Sequence, residues 1–336
     1  MIRRPPRSTQ SRSSAASDVY KRQDYDSSKV YILNFNTLPP VGLRNAIKIT
    51  DTRFLVVLYL KQSPWVNHLY DYAVDTNTYK FVAEISYGGF ELYLTNDNKV
   101  IIARLAYGEK GGYGLYNIDS QTYINFNIHN TKPWSFTFKS EKIKNNHLLL
   151  GVNSGSQTNN SFLEVIEPNT GAVITNYDIG SRNTIQYVTA LSDTRLIYFI
   201  LTNVNGLGNI YFVDTKKETK NSVEFNPGNM LYSVSKWIIP IHDNLIIYVK
   251  QDKNTIKLLT GAFDSVNLTV QKEIQNIDRP SVFLDGTSLI LVDRYKQVIV
   301  LEDFINKLGT SLVTKYNVKT ETKNLIPFSL VEKGGL

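Results

Sequence analysis

The stretch 90–129 reads FELYLTNDNKVIIARLAYGEKGGYGLYNIDSQTYINFNIH. It alternates four apolar runs with three polar breaks. Phe90, Leu92 and Leu94 lead into Thr95-Asn96-Asp97-Asn98. Val100-Ile101-Ile102-Ala103 leads into the glycine-rich Gly108-Glu109-Lys110-Gly111-Gly112. A third run ends at Asp119-Ser120-Gln121, and Tyr123, Ile124 and Phe126 begin a fourth. Runs of this length, rich in β-branched and aromatic residues and bounded by Asp, Asn and Gly, predict strands joined by tight turns. The expected strands, A to D, cover 90–95, 99–106, 112–119 and 123–129.

The same unit recurs on both sides. A polar turn feeding an apolar strand returns as Thr50-Asp51-Thr52-Arg53, Lys144-Asn145-Asn146-His147 and Ser192-Asp193-Thr194-Arg195. It returns again as His242-Asp243-Asn244 and Asp285-Gly286-Thr287-Ser288. The strand starts Arg53, Lys99, His147, Arg195, Asn244 and Ser288 lie 46, 48, 48, 49 and 44 residues apart. A second landmark, an acid opening the turn between strands C and D, occurs at Asp75, Asp119, Glu167, Asp214 and Asp264, in steps of 44, 48, 47 and 50. Two landmarks in constant phase, with four strands per period, predict an all-β protein. Its form is a β-propeller of four-stranded antiparallel blades. The B strands, such as Leu148-Leu149-Leu150, are continuously apolar, as strands covered on both faces must be.

The chain resembles the broad superfamily of WD-like, YVTN-like and quinoprotein-like propellers over nearly all of 29–331. The Trp-Asp and Gly-His signatures of WD repeats and the kelch glycine pairs are absent. Glu167-Pro168-Asn169-Thr170-Gly171 is similar to the turn of quinoprotein-like blades but occurs once. The resemblance therefore implies architecture and no cofactor. At the chain ends, 30–35 reads as a C strand, 312–318 as the D strand of the sixth unit, and 325–331 as a further A strand. The expectation is about seven blades, six complete and one split between the two ends to close the ring. Strict six-blade closure is the alternative.

The formal net charge of +7 is unevenly placed. Residues 1–23 hold Arg3, Arg4, Arg7, Arg12, Lys21 and Arg22 against Asp18 alone, so the remainder carries +2. This leader lacks the apolar core of a secretory signal. It resembles the translation of a sequencing-library adaptor. The expected organisation is thus a non-native or disordered leader, 1–23, and one propeller domain, 24–336, that lacks its true N-terminus. Its localisation is not legible. Without the leader no basic stripe with interleaved aromatics is left, which argues against nucleic acid as partner. No apolar run reaches membrane-spanning length.

Cysteine is absent, so disulfides, thiolate metal sites and a Cys nucleophile are excluded. His68, His129, His147 and His242 show no metal-ligand spacing, and no Gly-x-Ser-x-Gly elbow is present. The 108–112 loop is not a phosphate cradle, because a strand and not a helix follows it. The recurring Asp51, Asp97, Asp193, Asp243 and Asp285 read as turn residues. Trp65, in the loop-like Ser63-Pro64-Trp65, is the one candidate binding-face residue. No catalytic, cofactor or metal residue is assigned. The expected function is a monomeric scaffold that binds another protein or a carbohydrate. The alternative is an enzyme or carbohydrate-active propeller with a loop-built site at the central channel.

Overall fold

The structure is a computed structural model that describes residues 20–23, 30–33, 41–60, 63–86, 89–105, 112–127, 135–154, 160–181, 183–202, 206–232, 236–242, 245–263, 267–285, 287–293, 297–308 and 313–317. Two short strands come first, β1 (Tyr20–Gln23) and β2 (Val30–Leu33), paired antiparallel. Six four-stranded antiparallel meanders follow. The first blade is β3 (Val41–Lys48), β4 (Arg53–Leu60), β5 (Ser63–Ala73) and β6 (Thr78–Ser86). The second is β7 (Gly89–Leu94), β8 (Lys99–Leu105), β9 (Gly112–Asn117) and β10 (Thr122–Asn127). The third is β11 (Ser135–Lys142), β12 (Leu148–Ser154), β13 (Asn160–Glu167) and β14 (Ala172–Ser181). The fourth is β15 (Ile185–Ser192), β16 (Arg195–Leu201), β17 (Gly208–Asp214) and β18 (Thr219–Phe225). The fifth is β19 (Ile238–His242), β20 (Leu245–Asp252), β21 (Thr255–Gly261) and β22 (Thr269–Gln275). The sixth is β23 (Ser281–Asp285), β24 (Ser288–Val292), β25 (Gln297–Leu301) and β26 (Val313–Asn317).

Among the described residues the repeat is therefore six complete blades and a two-stranded remainder. β2 lies where a C strand is predicted. Its partner β1 is the end of the basic leader, in the place the repeat reserves for a B strand. The predicted A strand at 325–331 lies outside the described residues.

The turns are formed by the chemistry the sequence announces. Asp214 Oδ1 accepts the backbone N–H groups of Lys216 and Lys217 at 3.1 and 3.2 Å. Glu167 accepts those of Asn169 and Thr170 at 2.9 and 2.7 Å. In the second blade the cap is Asn117, not Asp119: its Oδ1 accepts from the N–H groups of Asp119 and Ser120, each at 3.0 Å. The residue before each D strand of blades one to four (Asn77, Gln121, Gly171 and Glu218) has positive φ, the left-handed geometry that closes such a hairpin.

Blades pack face to face through their B and C strands. Leu55, Val57 and Leu69 of blade one meet Val100, Ile102 and Tyr116 of blade two. Ile101 and Ala103 meet Leu148, Leu150 and Val152 of blade three. Leu149, Leu163 and Val165 meet Leu196, Tyr198 and Val213 of blade four. One continuous core joins blades four, five and six around Trp237. Each fully buried aliphatic side chain contributes roughly 1.5–3 kcal/mol, so these seams hold the ring. The D strands are the wet rim, with β14 and β18 exposed over most of their length. The A strands touch the A strands of neighbouring blades, β3 against β7, β11 against β15 and β15 against β19, as the innermost layer of a ring.

Candidate functional site

The charged residues of the inner layer converge. Glu91 and Tyr93 alternate with Leu92 and Leu94 on β7, so the pleat turns both polar side chains to one face. Ser140 and Glu141 lie on β11 and Tyr187 on β15. Lys236 precedes β19 and is held by its neighbour Trp237. Trp237 is 2 % exposed, and its indole stacks on Phe225 at 5.9 Å, with Phe199 edge-on at 5.0 Å.

The Ser140 hydroxyl donates to Glu91 Oε2 at 2.6 Å. The Tyr93 hydroxyl reaches the same carboxylate oxygen and the Ser140 carbonyl, the latter at 2.8 Å. It has one proton for two acceptors, one on its own strand and one on β11, and the tie between β7 and β11 is made by its bond to Ser140 and by that of Ser140 to Glu91. The Lys236 ammonium donates to Glu141 Oε1. The two residues come from blades five and three. The pair therefore spans blade four. The Tyr187 hydroxyl donates to the Ile238 carbonyl at 3.0 Å, so blade four is tied to blade five beside that pair.

Both carboxylates act on both phenols. Burial pushes the Tyr93 phenol well above its ordinary range, and the charges of Glu91 and Glu141 push it further. Burial likewise pushes Tyr187 up, followed by Glu141 and, more weakly, Glu91. Both phenols are therefore neutral at any physiological pH. The cluster offers two carboxylates, two neutral phenols, a hydroxyl and the Lys236 ammonium, and the Lys142 ammonium joins the same two strands by donating to the Leu94 carbonyl at 2.9 Å, the chemistry of a polar ligand site.

A concavity of about 420 Å³ sits on the seam of blades one and two, lined by Arg53, Asp71, Thr78, Tyr79, Lys80 and Gln121. Its chemistry is taken up internally. Arg53 Nε donates to Asp71 Oδ1 at 3.1 Å, Nη2 donates to Oδ2, and the Tyr116 hydroxyl of blade two also donates to Oδ2. Lys80 donates to Gln121 at 2.9 Å. This is an inter-blade clamp.

The residues singled out in the sequence do not form a site together. Trp65 falls inside β5 and not in a loop, because proline is tolerated at the very start of a strand; its side chain lies outside the described residues. His68 lies within 3.3 Å of the Tyr70 hydroxyl and edge-on to Phe81. His147 pairs with Asp193 at 2.8 Å, and His242 ends β19; His129 lies outside the described residues. Among the described residues no group of three His, Asp or Glu is placed to hold a metal ion. Of the recurring acids, Asp51 pairs with Lys48 and Asp97 with Lys99, at 3.0 and 2.7 Å. Asp285 ends β23, and 243 is outside the described residues. The inner-strand cluster had one sequence signal: Glu91 and Lys139 to Lys142 put charge into strands whose neighbours are apolar.

No protein-family model and no curated protein sequence matches the chain. Solved structures do. A structure titled oligogalacturonate lyase in complex with manganese is similar at a TM-score of 0.57 and 9 % identity, covering 90 % of this chain and 84 % of that one. A chain of a mitotic checkpoint complex gives 0.54 and 13 %, covering 84 % and 83 %. A prolyl endopeptidase gives 0.55 and 13 %, covering 89 % of this chain and 46 % of that one. The fold is a β-propeller. Likeness at these identities extends to the fold alone, and such β-propellers carry unrelated activities. Among the described residues no helix is long and apolar enough to cross a membrane.

Proposed function

We propose that this β-propeller is a binding scaffold whose ligand seats against the inner strands of blades two to five. The observation that supports it is the Glu91–Ser140–Tyr93 network beside the Glu141–Lys236 pair. The hydrophobic clusters between the blades are apolar, so polar groups brought together from four separate blades are not what packing alone asks of the inner strands. Its titratable groups converge in space from positions up to 145 residues apart, the usual arrangement of a ligand site on a rigid scaffold. Trp65 is the proposed contact on the blade-one side for a larger protein or carbohydrate partner. A thermal-shift screen of small polar ligands and oligosaccharides tests the reading. Stabilisation that disappears in Glu91→Gln or Glu141→Gln is expected. Stabilisation indifferent to both moves the ligand elsewhere.

The paired carboxylates and buried phenols also support the second reading, an enzyme with acid–base groups at the axis. Turnover of a glycoside or uronide panel, lost in both Glu→Gln variants, is the result that would select it.

A further inference from the structure

We draw no further inference here: the strongest candidate, the concavity of about 420 Å³ on the seam of blades one and two, belongs to the inter-blade clamp already described, in which Arg53 and Tyr116 donate to Asp71 and Lys80 donates to Gln121.

Discussion

Asp71 takes a fork of hydrogen bonds from Arg53 within its own blade and one more from Tyr116 in the next. With a side chain 6 % exposed, it is the hinge of the clamp between blades one and two. Asp71→Ala leaves a guanidinium and a phenol without their acceptor. It is expected to lower unfolding free energy by about 2–3 kcal/mol in urea titration, the low end for a broken buried pair because Arg53 is a quarter exposed. Gly228 is a backbone counterpart. Its φ is +61°, and a Cβ there would stand 1.9 Å from the carbonyl oxygen of Gln251, the residue it bridges on β20. Gly228→Ala is expected to cost more than about 2 kcal/mol, since strain and overlap coincide. At this scale the sequence was least legible. Glu91, Glu141 and Lys236 share no spacing, because residues on inner strands meet through the ring and not along the chain. Asp97 and Asp193 caught the eye because local turn chemistry must recur in phase, whatever the ligand.

The strand boundaries were the most legible feature. In blade two the observed strands end within one or two residues of the predicted ones, since each polar turn needs its cap and its left-handed residue at a fixed position. Trp65 was misplaced because Pro64 reads as a loop signal, whereas β5 is long enough to begin with it. The B-strand starts carry a second message. Arg53 reaches blade two through Asp71, Lys99 donates to Asn169 of blade three at 2.6 Å, His147 pairs with Asp193 of blade four, and Arg195 lies 4.2 Å over the Phe263 ring of blade five. The landmark that marks the repeat is also its blade-to-blade link. A double-mutant cycle on His147 and Asp193 is expected to give a coupling of about 0.5–1 kcal/mol, and a coupling of zero would remove the link. Hydrogen exchange should rank the elements too. The B strands β12, β16 and β20, buried over most of their length, are expected to exchange last and the rim strands β14, β18 and β22 first.

For the whole molecule the tyrosines set the pH limit. Burial raises Tyr70, Tyr93, Tyr113, Tyr116, Tyr177, Tyr187, Tyr198 and Tyr248 above the ordinary value of 10.0. Above pH 10 the unfolded chain releases phenolic protons that the folded chain retains, so stability falls as pH rises. The expected observation is cooperative alkaline unfolding above about pH 10, with a step in phenolate absorbance at the loss of β circular dichroism. These eight are a subset of 21 tyrosines, so the absence of that step at the unfolding transition is the result that would contradict the burial. At the acid end the sign reverses. For Glu167, desolvation alone would raise the carboxyl, but its bonds from Thr170 and Asn169 outweigh it and lower the value from 4.5. Its contribution is present at neutral pH and is lost as pH falls below 4.5, through the folded value.

The bond between Lys236 and Glu141 also sets an order of events. Strand pairings within each meander join residues close in sequence, so a blade can form early and anywhere along the chain. The two ends of that ion pair are 95 residues apart and meet only when blades three, four and five have docked. Its formation belongs after the folding barrier and its rupture before the unfolding one. Lys236→Met is therefore expected to quicken unfolding while leaving the refolding rate nearly unchanged in a chevron measurement, so this one contact reports the moment at which blades three, four and five have docked.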